Sequence, residues 1–424
     1  MSDQPINKNL LFVASCVALI ATAMSFAIRG DIMGDFQTEF VEPSVASEEG
    51  GQDADELIKT RLGVIAGVAF FSFGLAIVLG GPLVDLLGMG NLLRLAAACH
   101  IGGTILTIFA PGYWVVVIAT LIVGAGNGLV EAVCNPLIAT MYPDEKTHKL
   151  TLFHAWFPGG IVIGGLLAYG FSQVGFNWKL KMALLLIPSC IYLVMILRQK
   201  FPATERVAAG VPFSEMFSEA VRRPLFWILG IMMWFTAATE LGTGAWISNI
   251  YNDVMGSKEG ILALVWGSIL MYILRQFFSK TVHKLPDVTL IAVTAPFAFA
   301  GLVLFNVAAE SQSVPLFFVA STLMYFGVCF WWPTMLGITA ERCPRTGALG
   351  LGIIGGIGSF ATFFAAPLIG WLNDTYGPGP ALQRWAILPV VLCIVFILIV
   401  LSDKARGGYQ VEKLAAAEEG AEDK

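Results

Sequence analysis

Long apolar segments alternate with short polar connections along the whole chain. Each segment has about 20 to 29 residues, the length that a tilted helix needs to cross a lipid bilayer. They lie at 10–33, 62–86, 92–111, 113–141, 152–174, 178–200, 225–249, 259–283, 288–309, 314–340, 347–372 and 383–402. Helices satisfy their own backbone hydrogen bonds inside a bilayer, so the pattern predicts an all-α integral membrane protein with twelve transmembrane helices.

The composition supports this prediction and excludes several classes of protein. Of the 424 residues, 57% are hydrophobic and 13% are charged, whereas soluble domains carry roughly 25% charged residues. The net charge of −5 argues against nucleic acid as a partner. The seven cysteines have no metal-ligand spacing and no disulfide pattern, so we expect no metal site and no cofactor. The segment at 10–33 lacks a cleavage site and is expected to remain in the membrane.

The basic residues predict the orientation in the membrane. With a cytoplasmic N-terminus, seventeen lysines and arginines fall on the cytoplasmic side and six fall outside. This bias places both termini in the cytoplasm. We expect the protein to lie in a plasma membrane, which would be the inner membrane of a bacterium, and to contact the lipid of that membrane.

A basic connection at 198–223 divides the segments into two sets of six. Asn135-Pro136 in the fourth segment aligns with Trp332-Pro333 in the tenth, 197 positions later, which indicates two related halves. We therefore predict an N-terminal six-helix bundle at 1–200, a cytoplasmic linker at 201–223, a C-terminal bundle at 224–403 and a charged cytoplasmic tail at 404–424. The acidic stretches Glu39 to Glu56 and Glu412 to Lys424 are interpreted as solvated.

Ionisable residues inside apolar segments are costly and therefore mark function. Glu131 lies in the Gly-rich run Gly124–Pro136, and Glu240 lies inside the seventh segment. A buried carboxylate can load and release a proton as its cavity changes exposure, a role that suits Glu131. Asp31 ends the first segment and is either functional or a solvated helix-end charge. Arg29 is either a counter-ion for a residue on another helix or a ligand for an anionic solute.

Two sequence motifs resemble those of a known transporter superfamily. The run Gly81-Pro-Leu-Val-Asp85-Leu-Leu-Gly88 is similar to a cytoplasmic loop motif of the major facilitator superfamily, although Leu86, Met89 and Gly90 replace its basic residues. We assign Asp85 to gating geometry rather than solute contact. Arg275, in the eighth segment, resembles an arginine that many members keep and is assigned to gating or to snorkelling at the inner surface.

A third motif resembles one branch of that superfamily. The run Glu131-Ala-Val-Cys-Asn135-Pro136 is similar to the fourth helix of the fucose, galactose and glucose proton symporters, the fucose-permease branch. The resemblance implies two pseudo-symmetric six-helix halves and a monomer. It also implies that Glu131 and Asp31 take part in sugar binding and proton movement. His154, Phe157, Val328 and Arg29 depart from the pattern of that branch.

Pockets for sugars commonly combine aromatic rings with polar groups. The residues expected to bind the solute are therefore polar or aromatic side chains of five segments, each of which could instead have an ordinary packing or interfacial role. They are Arg29, Asn127, Asn135, His154, Trp156, Glu240, Trp246, Asn249, Trp331 and Trp332.

The sequence thus favours a secondary transporter that imports a small polar solute together with a proton. A monosaccharide is the favoured solute, and an organic anion bound by Arg29 is the alternative. A membrane enzyme is disfavoured because no nucleophile and base constellation and no phosphate-binding loop is visible. A non-transporting sensor is disfavoured because the soluble parts are too small for a signalling domain.

Overall fold

The computed structural model describes residues 5–46, 54–256 and 260–414. Within these ranges the protein contains helices and no strands. Twelve helices are long and apolar enough to cross a membrane, and they are numbered α1 to α12 here. They are Lys8–Asp31, Ala54–Leu87, Met89–Ile108, Tyr113–Met141, Lys146–Val174, Trp178–Ile196, Pro224–Met255, Ile261–Val282, Asp287–Glu310, Val314–Arg342, Pro344–Tyr376 and Pro378–Ala405.

The predicted all-α fold with twelve spans is confirmed, with differences at the helix ends. The largest is in α2, which begins at Ala54, eight residues before the apolar segment. Asp55, Glu56 and Lys59 therefore lie on its first turns. Hydrophobicity marks the part of a helix that fits the bilayer, whereas backbone hydrogen bonding continues beyond it.

Two connections between the spans contain helices. In the acidic stretch after α1, Gln37–Val41 forms a π-helical turn and Glu42–Ala46 an α-helix. Its acidic residues Glu39 and Glu42 are exposed, in line with the interpretation as solvated, whereas Phe40 and Val41 are buried. Apolar residues between the acidic ones explain the packing. Residues 47–53 of that stretch, and 415–424 of the tail, lie outside the described ranges. The central connection contains two further helices, Glu205–Ala208 and Phe213–Arg222.

Glycines allow helix backbones to approach one another closely at several points. A Cβ on Gly352 of α11 would lie 2.8 Å from the carbonyl oxygen of Ile77 in α2. Gly81 of α2 would in turn approach the backbone of α11 at Ala348, also at 2.8 Å. A Cβ on Gly128 would likewise meet the backbone of Phe73 in α2. The helix α2 is thus held between α4 of its own half and α11 of the other half.

Polar contacts at the end of the bundle that carries the chain termini join the N-terminal half to the central connection and to the C-terminal half, and join the segment after α12 to α10. Lys146 Nζ, at the start of α5, donates to Glu205 Oε2 at 2.7 Å. Thr147 Oγ1 donates to Asp287 Oδ2 of α9 at 2.6 Å. Tyr409, after α12, donates to Glu341 Oε2 of α10 at 2.7 Å, and burial raises the pKa of its phenol. These contacts hold the two halves together at this end of the bundle.

We predict that Gly352→Val destabilises the protein, because the added side chain would collide with the backbone of Ile77. Overpacking of this kind costs about 1–3 kcal/mol. Thermal unfolding of the purified protein in detergent measures the effect. The matched control is Gly102→Val, since a Cβ at Gly102 meets nothing within 4 Å. Equal losses in the two variants would contradict the assigned contact.

Candidate functional site: a central cavity between the two halves

A cavity of about 490 Å³ lies between the two halves. Its lining residues extend from Glu240 and Met271, near the middle of α7 and α8, to Asp31 and Ile261, at the end away from the termini. The volume falls within the roughly 300–1,000 Å³ of small-molecule sites. Four phenylalanines, Phe26, Phe70, Phe73 and Phe157, form much of the wall on the N-terminal half.

The polar groups of the cavity belong mainly to the C-terminal half, and three of them have unused hydrogen-bonding capacity. Glu240 Oε2, the hydroxyl of Tyr325 and Thr362 Oγ1 are buried and have no partner among the described residues. All three residues line the cavity. A buried polar atom without a partner is costly, so a solute with hydroxyl groups would gain by supplying one.

Glu131 lies about one helical turn from the midpoint of α4, on the side of the termini, and does not line the cavity. Asn135 Nδ2 donates to Glu131 Oε2 at 2.8 Å, and the two residues are neighbours on one face of α4. His154 Nε2 lies 3.0 Å from Asn135 Oδ1. Because an amide oxygen only accepts, this histidine nitrogen carries the proton. Three residues predicted from sequence therefore form one buried network, although none of them lines the cavity.

Arg275 connects this network to Glu240. Its Nη2 donates to Glu240 Oε1 at 3.1 Å, and its Nη1 donates to the carbonyl oxygen of His154 at 2.9 Å. Its side chain is only 2% exposed, which rules out snorkelling to the surface in this conformation. Glu240 and Arg275 each lie in a π-helical turn, at Ala238–Gly242 and Leu274–Phe278. Such turns re-aim side chains and are frequent at functional sites.

Asn127 belongs to a second buried network, inside the N-terminal half. His100 Nε2 lies 2.9 Å from Asn127 Oδ1, and Asn127 Nδ2 donates to Ser25 Oγ at 2.9 Å. The hydroxyl of Tyr192 completes the network, 3.0 Å from His100 Nδ1. Both ends of the Asn127 amide are therefore occupied by protein, and Asn127 does not line the cavity.

The two charged residues of α1 differ in their surroundings. Asp31 lines the cavity at the end away from the termini, where Lys181 Nζ of α6 donates to its Oδ2 at 2.8 Å. Arg29 is 6% exposed, and its Nη1 has no hydrogen-bond partner in the part of the chain that the structure describes. Arg29 is thus not the counter-ion of Asp31, and it does not line the cavity.

The predicted tryptophans and Asn249 lie mostly outside the cavity wall. Trp331 is buried and donates to Thr294 Oγ1, and Trp246 donates to the carbonyl of Ala366. Trp156 packs edge-to-face on Tyr272, with ring centroids 5.2 Å apart. Trp332 Nε1 is buried without a described partner, whereas Asn249 is exposed. Their assignment to solute binding stays a prediction.

The loop motif between α2 and α3 obtains its basic partner from elsewhere in the chain. Gly88 adopts a positive φ of 81° and is the one residue between the two helices. Thr204 Oγ1 and Arg206 Nε of the central connection donate to the Asp85 carboxylate, at 2.6 and 2.8 Å. The basic residues missing from the motif are thus replaced by Arg206. The gating role of Asp85 stays a prediction.

Sequence reasoning missed several residues of these sites. Tyr325 and Thr362 carry no charge and lie in apolar segments, so they gave no signal above ordinary packing residues. His100 could have been recognised from the sequence, because it is one of only four histidines and lies inside a predicted transmembrane segment. Lys181 was counted only as an outside charge, whereas it pairs with Asp31.

Twelve spans, two halves and a central cavity define a multi-pass membrane protein of the transporter type. The family model of the Major Facilitator Superfamily matches residues 10–346. The chain belongs to this superfamily, which confirms the family suggested by its loop and fourth-helix motifs.

Curated relatives match parts of the chain. A D-xylose transporter of Levilactobacillus brevis is 28% identical over 131 residues, which are 31% of this chain and 27% of the relative. Myo-inositol transporter 1 of Saccharomyces cerevisiae is 24% identical over 185 residues, 43% of this chain and 31% of the relative. The matched stretches span less than a third of the length of these relatives.

Solved structures share the fold over nearly the whole chain. A proton:xylose symporter bound to 6-bromo-6-deoxy-D-glucose matches with a TM-score of 0.77 at 13% identity, covering 93% of this chain and 96% of the other. The E. coli fucose:proton symporter gives 0.72 at 15% identity, covering 91% and 98%. The human organic anion transporter MFSD10 gives 0.73 at 12% identity, covering 93% and 100%. At these identities the likeness concerns the fold alone.

We predict unequal stability effects for the replacement of two buried polar groups. Asn127→Leu removes the partner of His100 and of Ser25, and should lower the stability by about 1–3 kcal/mol. Tyr325→Phe removes a hydroxyl that has no protein partner, and should cost little. Thermal unfolding of the solute-free protein in detergent measures both. A loss for Tyr325→Phe as large as that for Asn127→Leu would contradict the assignment of a free hydroxyl.

Proposed function

We propose that this protein imports a monosaccharide or a similar polyol together with a proton, by alternating access of its two halves. The central observation is the cavity between the halves, with aromatic walls on one side and unpartnered polar atoms on the other. Aromatic faces pack on the apolar faces of a sugar ring, and the free atoms of Glu240, Tyr325 and Thr362 accept or donate hydrogen bonds to its hydroxyls.

The superfamily membership and the sugar-related names of the matched relatives support this proposal. The matched proteins include a xylose transporter, an inositol transporter and proton symporters of xylose and fucose. Their shared solute chemistry is a small ring with several hydroxyl groups.

The proposed cycle begins with the cavity open at the end away from the termini, since the termini end is closed by the contacts of Lys146 and Thr147. The solute enters and contacts Glu240. A proton reaches Glu131, whose charge is costly in an apolar surrounding. Neutralisation of Glu131 and occupancy of the cavity together favour the rearrangement that opens the termini end. We assign Asp31 to the entrance of the cavity. The bond between Asp31 and Lys181 would break when this entrance closes.

The proposal includes a bacterial inner membrane location with both termini in the cytoplasm. The excess of basic residues on the termini side supports this orientation. In that orientation the cavity faces the outside, as an importer requires before it binds its solute. We further propose that the single chain transports as a monomer.

Import of an organic anion is the second candidate function. Arg29 favours it, because its guanidinium is buried in α1 and its Nη1 lacks a partner among the described residues. A carboxylate could pair with this group in a planar arrangement. Against it, Ala27, Gly30 and Asp31 of the same helix line the cavity, whereas Arg29 does not.

We predict that the purified protein in sealed liposomes accumulates a neutral monosaccharide when an inward proton gradient is imposed. The assay uses a panel of labelled sugars and small carboxylates, with the gradient imposed or collapsed. Accumulation that vanishes with the gradient supports the proposed function. Accumulation of a carboxylate, abolished by Arg29→Gln, would support the second candidate instead. Binding of a sugar without any flux would contradict both transport functions.

We predict that Glu131→Gln abolishes gradient-driven accumulation, because a glutamine can keep the hydrogen bond of Asn135 but cannot exchange a proton. Counterflow of the accumulated sugar, which needs no net proton movement, should persist. The matched control is Asp374→Asn, which removes an exposed carboxylate from α11. Intact proton-driven accumulation in Glu131→Gln would exclude Glu131 as the coupling residue.

A further inference from the structure

Two prolines near the middle of the bundle each deprive a carbonyl group of its helical donor. Proline has no N–H, so Pro158 in α5 cannot bond to the carbonyl of His154, and Pro333 in α10 cannot bond to that of Cys329. Both helices are interrupted there, at Ala155 and at Cys329 and Phe330. Inside a bilayer no water is available to replace the lost donors.

One side chain donates to both of these carbonyls. Arg275 Nη1 donates to His154 O at 2.9 Å, and Arg275 Nε donates to Cys329 O at 2.5 Å. The same guanidinium pairs with Glu240 Oε1 at 3.1 Å. A planar fork with five N–H groups can serve three acceptors in different directions, whereas the single ammonium of a lysine lacks this geometry.

These contacts link the two halves next to the cavity. His154 belongs to α5 of the N-terminal half, and Arg275, Glu240 and Cys329 belong to the C-terminal half. The side chain of His154 continues the connection to Asn135 and Glu131. Glu131 and Glu240, which are both buried, thus lie at the two ends of one connected set of hydrogen bonds. This set crosses the interface between the halves at His154.

Arg275 also fixes the orientation of Glu240 toward the solute. It occupies Oε1 of that carboxylate, while Oε2 remains without a partner and Glu240 lines the cavity. The position of the free oxygen therefore depends on the same guanidinium that contacts the other half.

We propose that Arg275 is a positioning residue for transport, which replaces the two N–H groups missing at Pro158 and Pro333 and thereby ties α5 to α7 and α10. This inference rests on the proposed function for its transport part only. Because the bond from Arg275 to His154 O crosses the interface, it breaks when the halves rearrange. The strength of this tie then governs the rate of the conformational step rather than the affinity for the solute.

The first test is a double-variant cycle on stability, which needs no knowledge of the solute. Arg275→Lys leaves the carbonyl of His154 without a donor and lowers the unfolding temperature of the purified protein. Pro158→Ala restores an N–H within α5, so the double variant should unfold at a higher temperature than Arg275→Lys alone. The matched control is Pro367→Ala in α11, which should give no such recovery. Equal unfolding temperatures for the double variant and Arg275→Lys would overturn the assignment.

The second test separates binding from transport, with D-xylose as the probe. Both variants weaken the bond across the interface, so both should raise the uptake rate measured at saturating D-xylose. Arg275→Lys should raise this rate by about tenfold, a barrier decrease of about 1.4 kcal/mol, while loss of the contact that orients Glu240 weakens equilibrium binding. Pro158→Ala keeps the test valid if Arg275→Lys does not fold, and equilibrium binding is measured beside uptake because Pro158 lines the cavity. Pro367→Ala should leave both quantities unchanged.

Two results of the second test would overturn the transport part. They are an uptake rate at saturating D-xylose that does not rise in Arg275→Lys, and an uptake rate that does not rise in Pro158→Ala. If the wild-type protein does not transport D-xylose or any other sugar, the proposed function fails, while the stability cycle still decides whether Arg275 serves the carbonyls freed by the prolines.

Discussion

The absence of water around a membrane-spanning helix is the constraint on which this structure depends. Every backbone carbonyl that loses its helical donor needs a donor from another part of the protein. The breaks in α5 and α10 meet this requirement through Arg275, and the charge of Arg275 in turn requires the carboxylate of Glu240. The irregular turns that carry Glu240 and Arg275 therefore form one unit with the two prolines. This unit lies where the halves meet.

In several other ion pairs at least one partner is buried. Asp85 is paired with Arg206, Asp31 with Lys181 and Arg342 with Asp403, each at 2.8 to 3.0 Å. Removing one partner from such a pair leaves an uncompensated charge and is more damaging than removing both. The pairs at the termini end hold the central connection against α2 and the end of α12 against α10. They stabilise the closed end opposite the cavity entrance.

Close glycine packing and polar contacts divide the interface between the halves into two kinds of surface. The glycines of α2 and α11 bring the backbones of these two helices together across the interface and suit rigid packing. The contacts of Lys146, Thr147 and Arg275 are few and directional, so they can be exchanged for others when the halves rotate. A transporter that alternates between two states needs both kinds.

The sequence by itself determined the features that depend on local spacing. The number of spans follows from apolar length, and the bond between Glu131 and Asn135 follows from their separation of one helical turn. The family followed from short motifs around Asp85 and Glu131. These features can be predicted because each depends on residues that lie close together in the sequence.

Only the tertiary structure decided which distant groups became partners. Arg206 replaces the missing basic residues of the loop motif, Lys181 rather than Arg29 pairs with Asp31, and Tyr325 and Thr362 face the cavity. Each outcome depends on the rotation of one helix about its axis against another. A shift of one residue turns a side chain by about 100°, and the composition of an almost uniformly apolar segment does not specify which side faces the cavity.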